Sequence, residues 1–363
     1  MNSEVKKIKI EDLGYDTFFE SNRKKLKLDN FSVARVVAEY KGAYKVKNVN
    51  GEYFAKITGK QMFNATSRED YPAVGDWVVI SETNKERAVI HGVLPRRTII
   101  KRKCSGKDEV QIIATNIDVA FTIESVDRDY NLNRFERYFA IANASAGVIK
   151  PVIILNKIDL ISKEELDLKL AQIENRFCGV DFIFTSTITD EGLDKLKMYI
   201  KKGKTYCFLG SSGVGKSSLI NKLLGENIIK TENISSHTGK GKHITTNREM
   251  YFLENGGIVI DNPGLREVGM TDTGVGIDNL FDEIIILAKK CRYADCTHIH
   301  EPGCEVLSAL RSGNLDMDKY SNYVNLKREA EHYEMTKLEK RKKDRQFGKF
   351  IKNAKKELKR YGC

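Results

Sequence analysis

Three short stretches of this sequence combine residue types and spacings that imply chemistry. The first is Gly210-Ser211-Ser212-Gly213-Val214-Gly215-Lys216-Ser217, with Ser218 next, a glycine followed by four residues and Gly-Lys-Ser. Glycines let the chain turn tightly so that successive backbone N–H groups point inward at phosphate, and a helix N-terminus behind them adds its positive end. Lys216 can reach β and γ phosphates, and the Ser217 hydroxyl is suited to ligate Mg2+. The second is Asn156-Lys157-Ile158-Asp159. Asp159 offers two acceptor oxygens to the N1–H and N2 amino group of guanine, a donor pair that adenine cannot present. Asn156 can brace the loop or reach N7, and the Lys157 methylenes can cover one face of the ring. The third is Cys291-x4-Cys296-x-His298-x5-Cys304, three thiolates and an imidazole within 14 residues, enough to close a tetrahedron around structural Zn2+. His300 is a nearby rival to His298.

Other segments complete the first two. Thr185-Ser186-Thr187 ends an apolar run, where a backbone N–H, that of Ser186, can meet the guanine O6. Asp261-Asn-Pro-Gly264 ends another; Asp261 is expected to hold Mg2+ through water, and the Gly264 N–H to bind the γ phosphate. Between them, SSHTGKGKHITTN reads as a basic switch segment whose Thr245, or else Thr246, can give a hydroxyl to Mg2+. His243 in this segment can orient the attacking water or meet a phosphate. Leu265 stands where many GTPases carry a glutamine, so a slow intrinsic rate is expected, with Lys216, Ser217, Gly264 and Mg2+ stabilising charge rather than transferring protons.

Strands and helices must hold these residues. From about 110 to 275, apolar runs such as KPVIILNK, TYCFLGS and GGIVIDN alternate with helical periodicities at 133–144, 164–177 and 192–200. Continuous apolar strands between amphipathic helices imply an α/β sheet covered on both faces. The guanine elements precede the phosphate loop, the reverse of the ordinary order, so the domain reads as circularly permuted, its chain cut elsewhere without loss of the site. Residues 31–100 form short β-branched and aromatic runs separated by Gly and Asn turns, which suggests a five-stranded, OB-like barrel. Tyr53, Phe54 and Trp77 are candidate stacking residues on it, and Trp77 can equally be core. Residues 1–30 read as a mobile extension with one short helix, 276–325 as a metal-binding segment and 326–363 as a basic helical tail.

Composition narrows the class. With 363 residues the chain is expected to form two or three domains. No apolar run reaches the roughly 18 residues of a membrane span, and the start has no signal-like segment, so a cytoplasmic location is expected, with no membrane partner. Of the net charge of +11, the last 37 residues carry +8, from 14 Lys or Arg against 6 Asp or Glu, a pattern that fits a solvated helix face or the neutralisation of RNA phosphate. Cys178 and Cys207 lie in apolar runs and are expected to be buried thiols.

Taken in order, VGDWV, NKID, GSSGVGKSS, GKGKHITT, DNPG and the cysteine cluster resemble the circularly permuted GTPases of small ribosomal subunit maturation, the RsgA family, over about residues 31–325. The resemblance implies a multidomain fold: an N-terminal OB-like β-barrel, a central circularly permuted α/β P-loop GTPase domain and a C-terminal zinc-containing helical domain. It implies a late assembly factor that binds GTP or GDP, Mg2+ and one structural Zn2+, the last through Cys291, Cys296, His298 and Cys304. It further implies GTP hydrolysis stimulated by the 30S subunit, with the 16S rRNA as partner; a monomer is expected. A rival reading is a nucleotide-dependent RNA-binding module whose turnover is incidental, which predicts RNA affinity indifferent to GDP or a GTP analogue. An enzyme modifying RNA or a metabolite finds no further catalytic constellation.

Overall fold

The structure is a computed structural model that describes residues 8–103, 110–127, 130–144, 148–229, 248–262 and 273–335, together with Arg345. His243, Thr245, Thr246, Gly264 and Leu265 lie outside the described residues, as does nearly all of the basic tail beyond 335. The chain divides into two compact units, Met1–Val268 and Gly269–Cys363.

In the first unit, strands β1 (Ser32–Tyr40), β2 (Ala43–Asn48), β3 (Gly51–Ile57), β4 (Trp77–Glu82) and β5 (Arg87–Val93) run in the order β1-β2-β3-β5-β4, and β4 returns to pair with β1. The result is the expected closed five-stranded barrel, antiparallel except where β3 meets β5. Alternate residues Tyr44 and Val46 of β2, Tyr53 and Ala55 of β3 and Val78 and Ile80 of β4 fill its interior.

That same period of two turns Trp77 and Val79 outward, where residues before the barrel cover them. A short 3-10 turn (Ile10–Leu13) and helix α1 (Thr17–Lys25) bring Leu13, Tyr15 and Phe19 against Trp77, Val33 and Leu94. Tyr15 meets Trp77 edge to face at 4.8 Å. The described part of the first 30 residues is therefore a packed layer and not the mobile extension expected, because its apolar residues face a strand surface that is otherwise bare. Among the three candidate stacking residues, Tyr53 is corrected, at 6% exposed; Trp77, at 0%, takes its core alternative; and Phe54, at 56%, faces outward.

The VGDWV stretch joins the barrel to the connector that follows it. Gly75 has φ +99°, and a Cβ there would lie 2.2 Å from the Thr115 carbonyl oxygen. Asp76 is fully buried and accepts two hydrogen bonds from Arg96, at 2.8 and 2.7 Å, and one from the Thr115 hydroxyl at 2.7 Å. Arg35 on β1, also buried, donates to Leu13 O at 2.6 Å, Gly75 O at 3.3 Å, Asn116 O at 3.2 Å and Thr205 Oγ1 at 2.8 Å. Replacing Asp76 by alanine leaves the largely buried Arg96 guanidinium with only the Glu69 and Tyr71 carbonyls as acceptors, so urea unfolding of this unit should show a loss of about 3 kcal/mol.

The β3–β4 connection contains α2 (Gly59–Asn64), and after the barrel comes the hairpin β6 (Ile99–Lys103) and β7 (Val110–Thr115). The α/β layer has strands β8 (Val119–Ser125), β9 (Lys150–Asn156), β10 (Asp181–Thr185), β11 (Thr205–Gly210), β12 (Glu249–Phe252) and β13 (Ile258–Asp261) in the order β10-β9-β8-β11-β13-β12. All pairs are parallel except β12 with β13. Helices α3 (Leu132–Asn143), α4 (Lys163–Arg176), α5 (Leu193–Tyr199) and α6 (Lys216–Leu224) lie within one residue of the expected spans where periodicity was read. Phe177 ends α4 and takes the interior position, which leaves Cys178 exposed and not buried as expected.

The second unit holds α7 (Gly274–Leu280), α8 (Asp282–Ala288), α9 (Glu305–Arg311) and α10 (Met317–Glu334). Phe281 and Tyr323 pack edge to face at 5.4 Å in its small core. Among the described residues, no helix is long and apolar enough to cross a membrane.

Candidate functional site

Because β8, β9, β10, β11 and β13 are parallel, the segments that leave their C-terminal ends emerge at one edge of the sheet, the usual ligand edge of such folds. The expected guanine and phosphate elements are brought together there although they lie far apart in the chain. β11 occupies the centre, between β13 and β8, and passes through the glycine loop into α6.

The loop is shaped by its neighbours. Asn156, buried at the end of β9, donates from Nδ2 to Val214 O at 2.8 Å and accepts from the Thr185 hydroxyl at 3.0 Å. Of the two uses open to it, bracing the loop is therefore the observed one. Gly215 has φ +97°, and a Cβ there would lie 2.2 Å from Asn156 Nδ2. Replacing Gly215 by alanine should thus displace either the loop or its brace; an affinity for guanine nucleotides lowered about tenfold or more, read by equilibrium titration, is expected. Tyr138 of α3 adds a hydrogen bond to the Ser211 side chain.

Lys216 turns its ammonium onto the loop's own carbonyls, Gly210 O at 2.8 Å and Ser211 O at 2.6 Å. Burial pulls its pKa down to about 8, opposed by the charges of Asp261 and Glu124. Asp261, at the end of β13, moves the other way, up to about 6, chiefly through burial. Its Oδ1 is buried with no hydrogen-bond partner. A buried carboxylate oxygen left without a partner suits a hydrated Mg2+, so Asp261 fits the ion. Asn262 points inward, its Nδ2 2.9 Å from the Cys207 sulfur; burial pushes that thiol up to about 12 and leaves it inert.

At the base end, Lys157 has left-handed backbone, φ +62°, and caps the 3-10 turn Ile158–Leu160 that carries Asp159. Asp159 accepts from the Ser186 hydroxyl at 2.5 Å, and the Ser186 hydroxyl oxygen in turn accepts from the Ile188 and Thr189 N–H groups at 3.1 Å each. The Ser186 N–H donates to Glu191 O at 3.0 Å, and it is the Ser186 hydroxyl that meets Asp159. Asp127 was missed by sequence reasoning: it holds Lys157 Nζ at 2.9 Å and accepts from the Ser125 hydroxyl at 2.6 Å. Within ESVDRDY it reads as an ordinary polar strand exit, and no local signal marks it.

In the second unit the ligand atoms of Cys291, Cys296, His298 and Cys304 all lie within 4.8 Å of one another. Cys291 Sγ is 3.8 Å from Cys304 Sγ, and His298 Nδ1 is 3.6 and 3.5 Å from these two sulfurs. A zinc tetrahedron with bonds of about 2.3 Å to sulfur and about 2.1 Å to nitrogen has edges of about 3.8 and 3.6 Å, so the residues fit the metal. His300 is exposed and stands outside the cluster, which settles the choice between the histidines. His298 reaches inward on left-handed backbone, φ +62°, its carbonyl held by the Tyr320 hydroxyl at 2.5 Å.

Comparison with known proteins agrees with this geometry. The family model described as RsgA GTPase matches residues 93–271. Small ribosomal subunit biogenesis GTPase RsgA 1 of Bacteroides thetaiotaomicron is 38% identical over 330 residues, 90% of this chain and 91% of its own. RsgA 2 of Lactiplantibacillus plantarum is 39% identical over 320 residues, 87% of this chain and 89% of its own. Among solved structures, YjeQ from Thermotoga maritima superposes with a TM-score of 0.59 at 24% identity, over 81% of this chain and 96% of that one. YloQ, a circularly permuted GTPase, gives 0.58 at 21%, over 85% and 97%; at these identities the likeness speaks for the fold. Sequence likeness spread over nearly the whole of both chains makes this protein a member of the RsgA family of circularly permuted GTPases.

Proposed function

We propose that the protein hydrolyses GTP as a late assembly factor of the small ribosomal subunit, binding its 16S rRNA and leaving when the γ phosphate is lost. The observation that carries this reading is the Asn156 amide, which ties the guanine-recognition strand to the phosphate loop through Val214 O at 2.8 Å and so makes one site of two distant segments. The names of the relatives, small ribosomal subunit biogenesis GTPases, supply the assembly.

In this reading Asp159 pairs with the N1–H and N2 of guanine, and Lys157 and Ile158 line the base. The glycine loop from Gly210 to Ser217, with Ser218 behind it, directs its N–H groups at the phosphates. Lys216 leaves its resting carbonyls for the β and γ oxygens; its burial strengthens that attraction because little water screens it. Ser217, Thr245 or Thr246, and Asp261 through water would hold Mg2+, which would supply positive charge to offset the negative charge that develops on the phosphates. Gly264 would meet the γ phosphate, and His243 would face the water or rRNA. Residues 276–325 would be built around one zinc, while Phe54 of the barrel and the basic residues of 326–363 would meet RNA, the protein working in the cytoplasm as a monomer.

GTP turnover by the purified protein, alone and with small subunits at two salt concentrations, tests this. Stimulation by the subunits that fades at high salt is the expected result. Equal rates with and without subunits would sink the assembly reading while leaving the nucleotide site standing.

A further inference from the structure

We infer that Asp127 is a positioning residue for guanine-nucleotide binding, acting through Lys157 and drawing its own rigidity from Ser125; this rests on the reading of the site as a guanine-nucleotide site. Three observations carry it. Lys157 Nζ lies 2.9 Å from Asp127 Oδ2, with the lysine side chain 22% exposed. The other carboxylate oxygen, Oδ1, accepts the Ser125 hydroxyl at 2.6 Å. Ser125 itself lies opposite Asn156 in the β8–β9 ladder, and Val126 N donates to Asn156 O at 3.1 Å, so the tether is rooted in the strands that carry the base-recognition turn.

The geometry has two consequences. The ion pair anchors the far end of the Lys157 stem, so its methylenes are held before the purine arrives. A free lysine gives up rotamer freedom when it lies along a base, and the tether has already removed that freedom. Lys157 is also the left-handed residue from which the turn bearing Asp159 starts, a conformation that non-glycine residues hold only when their surroundings enforce it. Asp127 on one side and Ser186 on the other therefore fix the two contacts to the base, the stacked stem and the carboxylate. Both acceptors lie outside the four-residue recognition motif.

Titration of a fluorescent GDP analogue into the full-length protein tests the inference. Asp127→Ala is expected to weaken binding about tenfold, the effect of freeing one long side chain. The factor should be the same for GDP and for a non-hydrolysable GTP analogue, since the pair sits at the base end, and in turnover it should raise KM far more than it lowers kcat. In a Lys157→Ala background the added Asp127→Ala change should do nearly nothing, because the route through Lys157 is gone. Ser125→Ala should produce a smaller loss in the same direction and stands in if the Asp127 variant does not fold. Unchanged affinity, a loss confined to the triphosphate, or an undiminished loss in the Lys157→Ala background would each overturn the inference. Wild-type protein that fails to bind the GDP analogue would overturn the guanine reading itself, whereas normal wild-type binding with an indifferent Asp127→Ala variant overturns only the role of Asp127.

Discussion

Serine in place of Cys304 should unfold the described part of the second unit, residues 273–335, and release its metal. Cys304 is buried, its sulfur lies 3.8 Å from that of Cys291, and it begins α9 by accepting the Leu307 N–H at 3.5 Å. The apolar core around it is small, centred on Ile277, Phe281, Ile284, Val306 and Leu326. A structural zinc in a segment of this kind contributes about 10 kcal/mol or more of folding free energy, which such a core does not replace. Zinc content should fall from one per chain to near none, and limited proteolysis should cut the second unit while sparing the first. His300→Ala should leave both readouts unchanged, since that imidazole stands outside the cluster. A Cys304→Ser protein that keeps its zinc and its protease resistance would refute the assignment.

Methionine in place of Lys216 should separate activity from stability. In the free protein the lysine is buried and its charge is disfavoured, with a pKa of about 8, while its hydrogen bonds go only to loop carbonyls. Removing a cation held in this way relieves a desolvated charge, so the melting temperature of the nucleotide-free protein should not fall. Turnover should drop about 10²–10³-fold or more, as expected when a preorganised donor to the transferred phosphoryl group is lost. The stabilisation that GTP confers on the wild type should shrink with it. Loss of turnover accompanied by a large fall in melting temperature would instead make Lys216 a structural residue.

How far the site was legible follows from the range of each interaction. The glycine loop works through consecutive backbone N–H groups, and the base-recognition turn through four adjacent residues, so both are written locally. The order of these motifs also revealed the permutation, and the parallel strands confirm the sense of it by bringing guanine and phosphate segments to one edge. Asp127, Ser125 and Tyr138 left no such mark, because each contributes a single polar atom across a gap that only folding closes. Ser186 was chosen for its place, and its hydroxyl meets Asp159 while its N–H is taken up by Glu191 O.

The barrel shows the same division. Short runs between Gly and Asn turns foretold its closure, but the alternation along a strand has no absolute phase. It could not say that the face bearing Trp77 would be covered by Leu13, Tyr15 and Phe19 from a segment that reads as a charged extension.

What the sequence determined by itself is the chemistry: the phosphate loop, the guanine turn, the order in which they are strung and the set of soft ligands for zinc. Each of these depends on residue types at short spacings and survives without knowledge of the fold. The tertiary structure alone decided which histidine joins the cysteines, that Asn156 braces the phosphate loop, that Asp127 tethers Lys157, and that Arg35 and Asp76 bind the barrel to its neighbours. Those choices rest on burial and on hydrogen bonds between residues distant in the chain, where a polar side chain finds its partner only once the strands have set its direction.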